Sequence, residues 1–240
     1  MSLALLENDL LRHIAQSGHR SGDRLQPLDE LAPALGISVG KLREQLEVAK
    51  LLGVVTVRPR TGMLVESFDF LPAIKTSLLF ALARDPHQFE AFSQLRNHVE
   101  FSYFDEAVAR LTRDDHARLR EIVAIAWMRL NGSPIRIPDH EHRELHLAIF
   151  SRLDNPFVKG LLEAYWEGYA AVGLNVFSDY SYLCEVWRYH EDIVTAIAAG
   201  EVETARKLLI VHTKLLQQRD ARGSRPKSPG RAKRSEAIPA

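Results

Sequence analysis

The sequence predicts a mostly α-helical protein. A winged helix-turn-helix, made of three helices and a β-hairpin wing, is followed by an all-α antiparallel bundle of about seven helices. Two observations carry this prediction. Strand-like alternation of apolar and polar residues is confined to residues 54–65. From about Leu71 onward only helical periods are present, separated by clusters of Gly, Pro, Asn and Asp.

The winged helix-turn-helix is predicted to occupy residues 1–67. Apolar residues at helical spacing favour a first helix over 3–17, and shorter helices are expected over 28–35 and 39–52. Gly53 ends the third helix. Residues 54–57 alternate as a strand, and 63–65 form the returning strand of the hairpin.

The bundle is predicted to occupy residues 71–218. It is followed by a basic tail, 219–240, whose interleaved Gly, Ser and Pro residues predict disorder because such a segment cannot bury apolar surface. The predicted helices of the bundle are 72–84, 87–110, 114–130, 138–153, 156–176, 179–199 and 201–218.

Composition limits the possible functions. The 31 basic and 31 acidic residues give a formal net charge of zero, so any affinity for DNA requires a local basic patch. The single cysteine, Cys184, excludes an intramolecular disulfide and fits a reducing compartment. No apolar run approaches the roughly 18 residues of a membrane span, and the N-terminus lacks the basic segment of a signal peptide. We therefore expect a cytoplasmic protein without membrane contacts.

The predicted third helix and wing carry the candidate DNA-binding residues. Ser38 can cap the helix, because its hydroxyl can accept hydrogen bonds from amides of the first turn. Lys41 and Arg43 lie near the N-terminal end of this helix, which enters the major groove in helix-turn-helix proteins. Arginine can read guanine, and either residue can neutralise phosphate. The wing adds Arg58, Arg60 and Gly62, the glycine permitting a tight turn.

Basic residues on a small domain can also be simply solvated, but their order here resembles the GntR family of bacterial regulators. The segments LDELA (28–32), LGIS (35–38) and LREQL (42–46) match its helix-turn-helix pattern. The segments LLGVV (51–55) and RPRTGMLV (58–65) match its wing. Arg43 falls on the family's DNA-contacting arginine, whereas Val39 stands where a base-reading arginine is common. Pro33 lies inside the second helix, where it should cost stability.

Four histidines in the second half of the chain are predicted to converge. His142 and His146 are four residues apart and project from one helix face. His190 lies ten residues before Gly200 and His212 twelve after it, so both return to the same level of an antiparallel hairpin at about 1.5 Å per residue. Two such pairs predict a metal site inside a bundle, although a single histidine on an apolar face is usually a packed side chain.

Residues 71–217 resemble the FCD domain, the all-helical effector domain of FadR-like GntR regulators. The segments around Arg96 and Glu100, from His142 to Pro156, and from His190 to His212 match its motifs. Many members bind a divalent metal through one Asp and three His. The resemblance places His146, His190 and His212 at the three histidine positions and His142 at the aspartate position. A site of imidazoles alone favours zinc, nickel or copper over harder ions, and we expect zinc or nickel.

The resemblance also implies a homodimer that binds double-stranded operator DNA, associates with the nucleoid when bound, and responds to a small organic acid. Arg96 has a planar guanidinium that fits a carboxylate. The alternative for Arg96 is an intrahelical pair with Glu100. The candidate effector-binding residues are Arg96, Glu100, Tyr103, Tyr169 and Asn175.

Three other interpretations remain open at the level of sequence. The histidines could bind the effector directly in a metal-free pocket. The winged helix-turn-helix could have lost the ability to bind DNA, which would leave a structural or interaction protein without a metal. A zinc hydrolase is the remote alternative, because 142–146 superficially resembles the HExxH helix. Glu144 is, however, displaced by one residue, about 100° around the helix, and should point away from a metal held by His142 and His146. We therefore predict that the protein is not an enzyme.

Overall fold

The structure is a computed structural model that describes residues 5–174 and 179–223, with side chains up to residue 215. The described chain contains a winged helix-turn-helix followed by seven further helices. Within these residues, no helix combines the length and the apolarity that a membrane span requires.

The N-terminal elements follow the predicted order. They are α1 (Asp9–Gln16), α2 (Leu28–Ala34), α3 (Val39–Leu51), β1 (Val55–Arg58) and β2 (Gly62–Val65). The strands pair antiparallel, from Val55 opposite Val65 to Arg58 opposite Gly62. The wing turn between them places both Arg60 (φ 65°) and Gly62 (φ 84°) in the left-handed region, which favours glycine at the second position.

Helix α1 is shorter than the predicted 3–17. It begins at Asp9 because the side chain of Asn8 accepts a hydrogen bond from the Leu11 amide at 2.9 Å and caps the helix. Residues 5–8 are not α-helical, and residues 3 and 4 lie outside the described part of the chain. Pro33 lies inside α2, as predicted, and the helix ends one residue later, at Ala34.

The bundle comprises α4 (Leu71–Arg84), α5 (Gln88–Ala109), α6 (Arg113–Leu130), α7 (Asp139–Ile149), α8 (Pro156–Ala171), α9 (Tyr180–Ala198) and α10 (Val202–Gly223). Side-chain caps fix the starts of α6, α8 and α9, at Thr112, Asn155 and Asp179. Helix α8 stops before the predicted residue 176, because Gly173 adopts a positive φ of 76° and turns the chain away. Helix α7 likewise stops at Ile149 rather than at 153.

Helix α10 runs to Gly223, beyond the predicted limit of 218 and into the segment predicted to be a disordered tail. The residues from 216 onward in this helix are mostly Leu, Gln, Arg and Ala, which are good helix formers. The remainder of the predicted tail, 224–240, lies outside the described residues.

Three hydrophobic cores hold the described residues together. One lies among α1, α2, α3 and the wing and includes Leu10, Leu42 and Val55. The largest is built by α5 to α10 around Trp187 and Phe104. The third lies where α4 and α5 pack on α8. Side chains of the winged helix do not take part in the two bundle cores.

Candidate metal centre and DNA-binding face

The four predicted histidines meet in the interior of the bundle. Helix α7 carries His142 and His146, α9 carries His190, and α10 carries His212. Each offers one ring nitrogen, and the four nitrogens all lie within 4.8 Å of one another. The hairpin offset about Gly200 therefore placed His190 and His212 at one level, as the sequence predicted.

Two distances within this four-histidine cluster match those between ligands of one metal ion. The Nε2 atom of His190 lies 3.1 Å from Nε2 of His212 and 3.3 Å from Nε2 of His146. Ligand atoms of a tetrahedral zinc site with bonds of about 2.0–2.1 Å are separated by about 3.3–3.4 Å. The Nε2 atom of His190 therefore faces two other imidazole nitrogens at distances that suit either a shared cation or N–H···N hydrogen bonds.

Burial keeps the cluster in the form that a metal requires. Desolvation lowers the pKa of all four imidazoles well below the ordinary value of histidine, and the charge of Arg96 lowers it further. Neutral imidazoles present the lone pair that ligates a cation. The Nδ1 atoms of His190 and His212 are buried and have no hydrogen-bond partner among the described residues.

A buried ion pair adjoins the cluster. Within α5, the guanidinium NH2 of Arg96 lies 2.7 Å from Oε1 of Glu100, so the intrahelical pair that the sequence left open is formed. The same NH2 donates to Nδ1 of His146 at 2.8 Å. Burial raises the pKa of the Glu100 carboxyl to about 7, although Arg96 and His212 pull it down. The guanidinium of Arg96 also covers the ring of Tyr165, 4.5 Å from its centroid.

A cavity of about 30 Å³ opens beside the histidines and Arg96. This volume holds one or two waters. Tyr169 lines it as predicted, whereas Tyr103 does not: its hydroxyl accepts a hydrogen bond from Asn155 at 3.3 Å, outside the cavity. Asn175 lies outside the described residues. The lining residues are Ser93, Arg96, Asn97, His142, His146, Tyr165, Trp166, Tyr169, Tyr182, His212 and Thr213.

Glu144 points away from the histidines, as its displacement around the helix predicted. Its carboxylate pairs with Arg118 and lies 3.5 Å from Nδ1 of the exposed His140. Glu144 therefore cannot serve as a base on a metal held by His142 and His146, which removes the resemblance to an HExxH hydrolase.

The predicted DNA-binding residues lie on the surface of the winged helix. Ser38 caps α3 by accepting a hydrogen bond from the Lys41 amide at 3.1 Å. The other candidates in α3 and β1 are exposed, and Arg58 lies 3.8 Å from the Glu66 carboxylate. Lys41 lies closer to a carboxylate than Arg58 does, with its Nζ 3.0 Å from Oδ2 of Asp9 in helix α1.

The sequence analysis did not identify several residues of the wing and of the cavity. Arg24 reaches the wing, where its Nε lies 3.3 Å from the position that a Cβ on Gly62 would take. Trp166 and Thr213 line the cavity. Helical spacing from Tyr169 pointed to the face that carries Trp166, but nothing in the sequence indicated the approach of Arg24, which depends on a loop.

Comparisons with known proteins agree with this architecture. The model of the FCD domain family matches residues 91–215. A protein of Bacillus subtilis (strain 168) named uncharacterized HTH-type transcriptional regulator YcbG is 24% identical over 212 residues, covering 88% of this chain and 87% of that protein. The Uxu operon transcriptional regulator of Escherichia coli (strain K12) is 24% identical over 212 residues, covering 86% and 81%.

The fold is also similar to that of a solved structure, Streptococcus agalactiae GntR. The two superpose with a TM-score of 0.64 at 18% identity, over 90% of this chain and 99% of that one. The sequence relatives are transcriptional regulators and not enzymes. Since the FCD model also matches more than half of the chain, this protein belongs to the GntR family of transcriptional regulators, as a FadR-like member with a C-terminal FCD domain.

Proposed function

We propose that this regulator senses a small organic acid through a divalent metal, zinc or nickel, and that the acid alters its binding to operator DNA. The observation that carries the proposal is the convergence of four imidazole nitrogens within 4.8 Å, beside the buried Arg96. We assign the metal to His142, His146, His190 and His212. When bound, the ion would supply a positive centre able to attract a carboxylate.

The donor set supports an anionic effector. Four neutral imidazoles contribute no negative charge, so the full charge of a divalent ion would remain available to a ligand. An acidic side chain, Glu100, is in contact with the cluster, and its Oε1 is 3.4 Å from Nδ1 of His146. Glu100 is already paired with Arg96. An acid in the cavity would compete with Glu100 for the guanidinium.

The size of the cavity favours a small effector. Its volume of about 30 Å³ admits only a few non-hydrogen atoms before the aromatic residues around it must move. Tyr165, Trp166 and Tyr169 form an aromatic wall on helix α8, and Tyr182 of α9 also lines the cavity. Binding of a larger acid would therefore displace α8.

Helix α8 connects the cavity to the DNA-binding head. At its N-terminal end, Phe157 packs on Phe68 and Phe70, with ring centroids 5.3 Å apart in both pairs. These two residues belong to the linker, 66–70, which joins β2 to α4. The linker leads into α4, and Pro72 of α4 lies within contact distance of Gly53, directly after helix α3. We infer that a shift of α8 changes the position of α3 relative to the bundle.

The DNA-bound form that we propose is a homodimer on a pseudo-palindromic operator in the cytoplasm, at the nucleoid. Arg43 and Arg60 of each winged helix are exposed and available for phosphates or bases, and Arg58 is exposed beside the Glu66 carboxylate. Two heads fix the spacing of two half-sites, so an effector that changes their relative position changes operator affinity.

The test is a titration of small carboxylic acids against a complex with DNA. A duplex would first be selected from a randomised pool with the zinc-loaded protein. Glycolate, lactate, malonate and citrate would then be screened by fluorescence anisotropy on the zinc-loaded protein and on chelator-treated protein. We expect at least one acid to change the Kd about tenfold in the zinc-loaded protein only, a coupling of about 1.4 kcal/mol. Failure of every acid would overturn the proposal.

A metal-free sensor is the second candidate, and one observation favours it. The 2.8 Å contact with Arg96 requires Nδ1 of His146 to accept, which places the ring proton on Nε2, the atom that faces His190. A metal on Nε2 would instead require Nδ1 to carry the proton and to donate to Glu100. Acids that act equally on zinc-loaded and chelator-treated protein would establish the metal-free sensor.

A further inference from the structure

Lys41 differs from Arg43 and Arg60 because a carboxylate lies in contact with its ammonium group. Its Nζ lies 3.0 Å from Oδ2 of Asp9, at the first turn of α1. Arg43 and Arg60 make no ion pair with any residue in the described ranges. Near the N-terminal end of α3, Lys41 is therefore paired with a carboxylate, although its side chain is exposed, and Arg43 is not paired with any described residue.

The Asp9 carboxylate is held rigidly in this position. Oδ1 accepts from NH1 of Arg12 at 2.9 Å, and Oδ2 also accepts from Nε2 of Gln45 at 2.8 Å. These hydrogen bonds, with Gln45 contributing most and Lys41 next, lower the pKa of Asp9 to about 2. Asp9 is consequently ionised at every physiological pH.

Gln45 anchors the arrangement. It is buried within α3, and its Oε1 accepts a hydrogen bond from the Leu10 amide at 3.1 Å. Its backbone carbonyl accepts from the side chain of Asn8 at 3.2 Å. The first turn of α1 is thus fixed to the middle of α3, which aims the Asp9 carboxylate at Lys41, one turn nearer the end that enters the major groove.

We propose that Asp9 is a specificity-determining residue for DNA binding, which suppresses binding to non-operator DNA by keeping Lys41 paired. Binding to arbitrary sequences depends almost entirely on neutralising phosphates and releasing counterions. A lysine that already holds a carboxylate contributes little to that term. Operator binding depends also on base contacts. The pairing of Lys41 with Asp9 therefore removes a smaller share of the binding free energy for the operator than for non-operator DNA.

The test compares Asp9→Asn with the parent protein. Asn is close in size, and its oxygen can still accept from Gln45, so the junction between α1 and α3 is retained. Binding to a randomised duplex of about 30 base pairs, roughly three helical turns, would be followed across a salt series. We expect the slope of log K against log salt to steepen by about 0.9, and non-specific affinity at ~0.1 M salt to rise by up to about tenfold.

Two controls separate this role from a general loss of negative charge. Asp9→Asn should steepen the slope less in a Lys41→Ala background, because Arg12 is then the one cation of the two that Asp9 pairs with in the parent protein. Glu47→Gln frees Lys50 from a pair of 2.8 Å further along α3 and should not steepen the slope.

Affinity for a duplex selected by the parent protein should rise less than affinity for the randomised duplex. The proposal is overturned if Asp9→Asn leaves the parent slope unchanged, or steepens it equally in the Lys41→Ala background. It is also overturned if the ratio of selected to randomised affinity does not fall.

Discussion

His142 is the residue at which this chain departs most clearly from the pattern that it resembles. It is the least buried of the four histidines, and its ring packs on Trp166 with centroids 4.8 Å apart. Its centroid lies 4.9 Å from that of His190 and 5.3 Å from that of His146. An imidazole here leaves the set of donors without charge, where the family's aspartate would contribute one negative charge.

We predict that His142→Asp shifts the metal preference of the site towards harder ions. A carboxylate suits Mn²⁺ better than an imidazole does, whereas zinc accepts both. The ratio of the zinc Kd to the manganese Kd, measured by competition with a chelating dye, should rise by about tenfold or more. His140→Asp, on the exposed side of the same helix, should leave the ratio unchanged, and an unchanged ratio in His142→Asp would refute the role assigned to this position.

The buried histidines also predict how the metal-free protein responds to acid. Folding lowers the pKa of four imidazoles, so below about pH 6.5 the unfolded chain binds more protons than the folded one. The folded state therefore becomes less stable as the pH decreases in this range. Glu100 acts in the opposite sense: its folded pKa of about 7 exceeds the ordinary 4.5, so its contribution improves as pH falls through this window. Four groups outweigh one.

The free energy of unfolding of chelator-treated protein should therefore fall between pH 6.5 and pH 5.5, by more than about 1 kcal/mol. Denaturant titrations at the two pH values measure this difference. Equal stability at both values would show that the histidines are not buried as neutral groups.

At the scale of elements, α8 approaches the linker so closely at Gly160 that no residue with a Cβ atom fits there without a shift of the backbone. A Cβ on Gly160 would lie 2.7 Å from the backbone nitrogen of Leu71 and 2.9 Å from Cβ of Phe70. Helix α8 can pack against the start of α4 only with glycine at this position, and the same helix carries the aromatic wall of the cavity.

We expect Gly160→Ala to destabilise the protein by about 1–3 kcal/mol, since backbone must move to admit the methyl group. Gly40→Ala is the matched control, because a Cβ there meets nothing nearer than Oγ of Ser38 at 3.9 Å. It should stabilise the protein by up to about 1 kcal/mol, through helix propensity. Denaturant titrations measure the free energy of unfolding of both variants. Equal changes in the two would mean that a Cβ atom fits at Gly160 without strain.

The helices and strands were predictable where the apolar periodicity and the helix-breaking residues indicated the same boundaries. The seven bundle helices follow from breaks such as Asn155-Pro156 and Gly200, which both end one apolar period and begin another. The start of α1 was missed because leucines continue the helical period across Asn8, whose side chain nevertheless caps the helix. The end of α8 was missed because the positive φ of Gly173 cannot be told from a glycine tolerated within a helix.

The site was predictable to the extent that it depends on spacing along helices. Offsets about Gly200 indicated the level of His190 and His212, and a separation of four residues indicated the shared face of His142 and His146. Contacts between distant segments carried no such signal. The pairing of Lys41 with Asp9 and the turning of Tyr103 towards Asn155 both depend on how helices pack.

At the scale of the whole molecule, sensing and DNA binding are built on different cores. The core of the winged helix is separate from the two cores of the bundle, and the four histidines lie only in the bundle. Contacts between linker, α4 and α8 join the two parts. A metal in the bundle can therefore influence DNA binding through these contacts or through the arrangement of a dimer.

The most direct test of the account is the metal content of the purified protein, measured by elemental analysis beside two alanine variants of helix α7. We predict about one zinc or nickel ion per chain in the parent protein and in His140→Ala, whose imidazole is exposed. His146→Ala, which removes a buried ligand, should retain almost none. A parent protein that holds no metal after reconstitution with zinc or nickel, or a His146→Ala variant that holds as much as the parent, would contradict the account.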